Sequence, residues 1–187
     1  MTAPSSFNHG RAGGPSEDIR VRSATAGDLV ALGALAAELV RQHHGYDAAR
    51  FVLPRDVERG YREWFGRELG HAEAVLLVAE PDVPASPAPM LGYLYGRMEG
   101  RDWNLLLDRH AALHDLLVVP EAQGRGVGEA LVRRFQEIAR ARGLPRIVLH
   151  SASPNVRAQR LFAKLGFRPT MLEMTCELDP EEGRGPA

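Results

Sequence analysis

The chain has 187 residues, 44% of them apolar, and a formal net charge of -1. That is enough apolar chain for one buried core, and a balanced charge gives no field that would draw nucleic acid or an anionic membrane. A single cysteine, Cys176, excludes an internal disulfide, and the longest apolar runs are too short to span a bilayer. No nucleic-acid or membrane partner is therefore expected. With no apolar leader near Met1, the expected location is a reducing cytoplasm.

Residues 1–18 are rich in Ser, Gly, Pro and Ala and are expected to be a disordered tail. Ile19 to Ser23 alternates apolar and polar residues, as a half-buried strand does. Thr25 to Asp28 then caps a helix whose apolar residues Leu29, Leu32, Leu35, Ala36 and Leu39 recur at helical spacing. This helix is predicted to end near His43, with His43 to Tyr46 as a loop. A second helix is predicted from Pro54 to Leu69, stopped by Gly70. Ala74 to Ala79 and Met90 to Met98 read as strands joined into a hairpin across a proline-rich turn. Glu99 to Arg109 is harder to read: it opens as a loop around Trp103, while Leu105 to Leu107 fits helix or strand.

Ala111 to Val119 is an apolar strand ended by Pro120, which has no N–H for a ladder. Gly124, Gly126 and Gly128 follow, then a helix from Val127 to Arg142 with Gly143 as its stop. Arg146 to His150 is a strand, Asn155 caps a helix through Leu165, and Met171 to Leu178 is predicted as a last strand. Its open edge could pair two copies, so a homodimer is an expectation. Residues 179–187 form an acidic, glycine-rich tail, leaving one domain over 19–178. The strand–helix–strand unit in the middle implies locally parallel neighbours, hence an α/β (α+β) chain with a mixed sheet.

The alternating glycines clear the backbone for close approach. The helix behind them opens with free N–H groups and a partial positive charge, which suits a phosphate. Two familiar phosphate loops do not fit. The Gly-Lys-Ser/Thr ending of the P-loop is absent, and the dinucleotide fingerprint would need its third glycine later and an acidic residue after the next strand. What fits is Gln/Arg-x-x-Gly-x-Gly/Ala, met by Gln123, Gly126 and Gly128. This resembles the acyl-CoA pyrophosphate loop of the GNAT family of N-acetyltransferases. Residues 155–167 resemble the same family's Asn-x-x-Ala-x-x-Leu-Tyr-x-x-x-Gly-Phe signature through Asn155, Ala158, Leu161, Gly166 and Phe167, with Phe162 where the tyrosine stands.

The resemblance covers roughly 19–178 and implies the GNAT fold: a mixed sheet of six to seven strands, about four helices, and fourth and fifth strands splayed apart. It implies acetyl-CoA as co-substrate, with Leu116, Leu117 and Val118 offering backbone groups to the pantetheine arm. Gln123, Gly124, Arg125, Gly126, Val127, Gly128 and Glu129 would surround the pyrophosphate, Asn155 would approach the arm from the other side, and Phe162 would pack near it. The reaction implied is acetyl transfer to a primary amine of a small molecule or peptide, by direct attack in a ternary complex. The amine must shed a proton first, so a base is needed. His114 stands near the place of the family's glutamate, and an imidazole with its ordinary pKa of about 6.5 is partly neutral at physiological pH. Asp115, on the opposite face if strand alternation holds, would bind the amine or support the base.

Phe162 cannot donate a proton to the leaving thiolate as the family's tyrosine does. Ser151, Tyr93 and Tyr95 are candidate replacements, or the thiolate leaves unaided. The departure motivates an alternative, a non-catalytic acyl-CoA-binding sensor or interaction module, and a nucleotide-binding regulatory domain is a weaker third. His110 and His114 are four apart, but His114 falls on a strand and no third ligand is evident, so no metal is expected. Cys176 has no histidine nearby in sequence to activate it, so no covalent mechanism is expected. The acceptor pocket is expected between the first two helices, the loop around Trp103 and the last strand.

Overall fold

A computed structural model describes residues 19–82 and 88–178. The tails expected over 1–18 and 179–187, and the middle of the proline-rich turn, lie outside the described residues. In chain order the elements are β1 (Ile19–Ser23), α1 (Leu29–Tyr46), α2 (Val57–Glu68), β2 (Ala74–Pro81), β3 (Gly92–Glu99), β4 (His110–Val118), α3 (Val127–Ala141), β5 (Ile147–Leu149) and α4 (Val156–Lys164). Short 3-10 turns at Ala26–Asp28 and Pro120–Ala122 lead into α1 and follow β4.

The five strands form one sheet in the order β1-β2-β3-β4-β5. Neighbours are antiparallel except β4 and β5, which run parallel, as the strand–helix–strand reading requires. β2 and β3 form the expected hairpin. Helices cover both faces. Leu32, Ala36 and Leu39 of α1 and Phe65 of α2 pack on Leu76, Val78, Tyr93, Tyr95 and Leu117. On the other face Val127, Leu131, Val132 and Phe135 of α3 and Phe162 of α4 pack on Val75, Leu77, Leu94, Met98, Ala111 and Leu113.

α1 starts where the sequence says it should: Asp28 accepts from the backbone N–H of Thr25 (2.7 Å) and from its hydroxyl (2.9 Å). It continues to Tyr46, so His43 and His44 lie in its last turn and not in a loop. There His43 Nδ1 sits 2.8 Å from the Leu39 carbonyl and its ring contacts Tyr46 and Phe51 edge-on, which extends the helix past the expected end.

The predicted last strand does not form. Residues 171–178 carry no secondary structure, and Met171, Leu172, Met174 and Leu178 are exposed. Among the described residues the sheet has five strands where six to seven were expected. Strand propensity needs a paired edge to become a ladder, and the outer edge offered here is β5, only three residues long. Glu173 instead makes an ion pair with Arg50, beyond the end of α1.

Candidate active site

β4 pairs with β5 only through Ala111–Ile147, Ala112–Val148 and Leu113–Leu149. Beyond Leu113 no β5 residue pairs with β4, so Leu116, Leu117 and Val118 face the gap on that side while keeping Leu94, Tyr93 and Gly92 of β3 as partners on the other. Backbone groups on such an edge need a partner. The Val118 carbonyl has one, accepting from Gln123 Nε2 at 3.1 Å. Gln123 in turn accepts from Arg157 of α4, which ties the turn to the opposite wall of the gap. The turn places Gly124 and Gly126 at φ 81° and 91°, the left-handed region that glycine enters without penalty, and a Cβ at either would meet nothing within 4 Å. That space lies before the α3 N-terminus, where the first-turn N–H groups of Val127, Gly128 and Glu129 have no helical acceptor. Gly128 has a different setting: a Cβ there would lie 3.0 Å from Leu161 Cδ2, so the Leu161 side chain of α4 would have to give by a few tenths of an ångström. The Glu129 carboxylate is neutralised by Lys164 (2.5 Å) and Arg133 (2.8 Å). Arg125 Nη1 reaches the Glu121 carbonyl at 3.5 Å.

Asn155 accepts from the Ala158 N–H at 3.1 Å and so caps α4, as its position before the helix suggests. Phe162 is buried among the α3-face side chains, edge-on to Phe167 at 5.6 Å. Just past β5, the Ser151 hydroxyl oxygen is buried and has no hydrogen-bond partner.

The second half of the site lies on the α2 side of the same strands. A cleft of about 540 Å³ is lined by Trp64, Tyr95, Arg97, Glu99, Leu113, His114, Asp115 and His150. His114 and Asp115 both line it, which corrects the expectation that they face opposite ways. The register explains why: Tyr95 pairs with Asp115 and Gly96 with Leu113, so His114 is an extra residue with no partner. Such a bulge puts two consecutive side chains on one face. The His114 ring stacks on Tyr95 at 5.5 Å, and its Nε2 is 3.0 Å from Glu99 Oε1. A carboxylate accepts, so in the neutral tautomer that fits this contact Nε2 would carry the hydrogen and Nδ1 the lone pair. Glu99 Oε2 also faces His110 Nε2 at 3.4 Å, while His110 Nδ1–H donates to the Asp108 carbonyl at 2.9 Å.

Asp115 is buried, and Tyr93 donates to it at 3.1 Å. Burial pushes its carboxyl up to about 6, against the smaller opposing effect of the Tyr93 hydrogen bond. Beside it, Tyr95 donates to Glu68 at 2.6 Å, and Arg97 Nη1 spans both Glu68 oxygens at 3.0 and 2.8 Å. Burial raises both tyrosines above the ordinary phenol range, Tyr93 most. Trp103, expected near the acceptor, is 74% exposed on the Asp102–Leu107 turn, where Arg101 covers its ring, and it lines no part of this cleft. Trp64, Glu68, Arg97, Glu99 and His150 were missed by the motif reading. They come from separate elements, and only the alternation of Tyr93, Tyr95, Arg97 and Glu99 along β3 hinted at a shared face. Among the described residues, no group of three or more His, Cys, Asp or Glu is placed to hold a metal ion. No described helix is long and apolar enough to cross a membrane.

A sheet that parts beside a glycine turn, with a cleft lined by His114 and Asp115 on its other side, can hold an anionic ligand against a second one. The sequence profile of the Acetyltransferase (GNAT) family matches residues 42–167, more than half of the chain, and the chain belongs to that family. Among curated proteins it is similar to mycothiol acetyltransferase of Stackebrandtia nassauensis, 34% identical over 114 residues, covering 60% of this chain and 33% of the relative. It is also similar to that of Beutenbergia cavernae, 44% identical over 57 residues, covering 30% and 19%. The chain thus spans a third or less of the length of these curated relatives. Among solved structures, a tetramutant of the BH1408 protein of Bacillus halodurans superposes with a TM-score of 0.72 at 18% identity, covering 85% of this chain and 99% of that one. A Clostridium acetobutylicum protein described as a predicted acetyltransferase with acetyl-CoA gives 0.61 at 17%, covering 84% and 96%. These two likenesses bear on the fold alone.

Proposed function

We propose that this chain is an N-acetyltransferase that moves the acetyl group of acetyl-CoA to a primary amine of a small molecule or peptide, by direct attack in a ternary complex, within a single domain over 19–178. The observation that carries the reading is the parting of β4 from β5 between the glycine turn on one side and the His114 cleft on the other. The residues present fit the co-substrate: an unpaired strand edge, open space over Gly124 and Gly126, and an orphaned hydroxyl on Ser151. Leu116, Leu117 and Val118 would pair with the pantetheine amides as an added strand does. Gly124, Gly126, Val127, Gly128 and Glu129 would give N–H groups to the pyrophosphate, flanked by Gln123 and Arg125. Asn155 and Phe162 would border the arm from α4.

Acetyl-CoA would supply an activated acetyl thioester. The chain's part is to hold the amine and take its proton. Glu99 fixes the His114 ring, and His114 Nδ1 takes the proton that the incoming ammonium sheds. Asp115 receives the ammonium at the cleft floor. Of the three candidates, Tyr93 and Tyr95 already donate to Asp115 and Glu68, so Ser151 is the group we assign to hydrogen-bond the departing sulfur, which leaves as the thiolate. The need is modest, since an ordinary thiol has a pKa of about 8.5 and leaves readily. We place the protein in the cytoplasm, a setting that suits its lone exposed thiol, Cys176.

Calorimetric titration with acetyl-CoA, beside a Gly126→Trp variant, is the direct test. Binding that the variant loses supports the loop assignment, and amine-dependent release of free CoA then identifies transfer. Absence of binding to either protein rules the proposal out. Binding without release for any amine selects the acyl-CoA-binding module that Phe162 motivates.

A further inference from the structure

Trp64 belongs to two hollows. Besides the cleft, it lines a groove of about 340 Å³ along α1 and α2, together with Val40, Val52, Pro54, Val57 and Tyr61. Asp56 is the one charged residue among the described residues that line it. Val52 is 77% exposed there, and Leu53 beside it 46%. Single exposed apolar residues are ordinary, but a run of them bordering a concave wall marks a surface that takes an apolar ligand. Trp64 is the residue the two hollows share, and Tyr61 packs against it on the groove side. Its ring meets Trp64 edge-on at 5.4 Å, and its phenol, held up chiefly by burial, also feels the charge of Asp115.

On the cleft side of Trp64 the Arg97 charge is matched by Glu68, so the carboxylates that face an incoming cation beside the rings of Trp64 and Tyr95 are Asp115 and the Glu99 that also holds His114. Aromatic walls and carboxylates together suit an ammonium group. A polyhydroxylated body would find few polar partners along the groove, whereas a hydrocarbon body would displace water from it.

Resting on the amine-acetylation reading above, we propose that the groove holds the body of the acceptor. The substrate class is then a primary amine bearing an alkyl chain or aryl group, its nitrogen over Glu99 and Asp115 and its body along Trp64 and Tyr61.

The test is a steady-state series with acetyl-CoA and ethylamine, butylamine, hexylamine, octylamine and glucosamine, on the full chain and on Gly60→Phe. Gly60 lines the groove, and a Cβ there meets nothing within 4 Å, so the helix accepts a side chain that fills the hollow. The expected result is a rise in kcat/KM of up to about fourfold per methylene, the ratio that burying a CH₂ group implies, carried by KM and not by kcat. Glucosamine is expected to be the poorest acceptor. Gly60→Phe flattens the slope to under about twofold across the series. A flat series in the parent, or an equal slope in both proteins, overturns this inference alone. A flat series would give the groove to another occupant, such as the exposed 171–178 segment. No turnover of any of the five amines likewise overturns this inference, whereas the acetyl-transfer reading falls separately, on absence of acetyl-CoA binding in the titration above.

Discussion

The two faces of the sheet use the same strands for opposite purposes. Toward α3 the side chains of β3 and β4 are hydrocarbon: Leu94, Met98, Ala111 and Leu113 close around Phe135. Gly96 belongs to this face, because a Cβ there would stand 2.5 Å from Phe135 Cζ. Toward α2 the alternate residues are Tyr93, Tyr95, Arg97, Glu99 and Asp115, satisfied by one another and by Glu68. One face is built to pack, and the other holds charge near a cleft at the cost of desolvating it. The sheet thus separates stability from chemistry, because successive side chains along each strand point to opposite faces.

That separation can be broken from either side. Phe135→Ala is expected to have the largest effect, a loss of about 3–5 kcal/mol in urea unfolding, because it empties a fully buried ring site against Gly96. The molecules that remain folded should keep kcat within about twofold. His114→Ala should do the reverse: a fall in kcat of about 10²–10³-fold with an unchanged urea midpoint, since the ring is 40% exposed on its bulge. If Phe135→Ala cut kcat as deeply as His114→Ala, the two faces would be one coupled unit.

Asp115 gives a finer test, because it is the one carboxylate on the chemical face that burial holds up strongly, to about 6 from an ordinary 3.8. The folded state binds this proton more tightly than the unfolded chain does. The contribution to stability is therefore full below the ordinary value, falls as pH rises toward 6, and is flat above. Asp115→Asn should remove that slope. Relative to the parent it should gain on the order of 3 kcal/mol between pH 3 and pH 7 in urea unfolding. A parallel pH dependence in both proteins would show that Asp115 is not desolvated.

Much of this architecture is legible in the sequence because it is local. The Asp28 cap, the glycine turn, the Asn155 cap and the Pro120 strand end each depend on residues a few positions apart. What was not legible depends on partners. The bulge at His114 exists only through the register of β4 against β3, and a strand pattern read alone sends Asp115 to the wrong face. Glu68, Arg97 and Glu99 look like ordinary surface charges until α2 lies across β3. Residues 171–178 have a strand composition but no edge long enough to complete it. Trp103 reads in the sequence either as a pocket residue or as an anchor of its loop, and nothing near it in sequence records that its turn faces water.

The smallest effect concerns the one place where the packing face and the chemistry meet. Phe162 sits in the α3-face core against Phe167, at the position where the family signature carries a hydroxyl. Ser151→Ala alone should lower kcat about tenfold, because the hydrogen bond it removes serves a leaving thiolate that needs little help. Adding Phe162→Tyr to that variant puts a hydroxyl at the signature's position and should restore most of the loss. It should also lower stability slightly, by about 1 kcal/mol where the new oxygen finds no partner. Recovery of kcat with a weakened core would mean that the two hydroxyls are interchangeable and that this chain has moved its hydrogen-bond donor from α4 to the end of β5. If Ser151→Ala is silent and Phe162→Tyr changes only the unfolding curve, the sulfur departs without a donor. Phe162 then belongs wholly to the packing face.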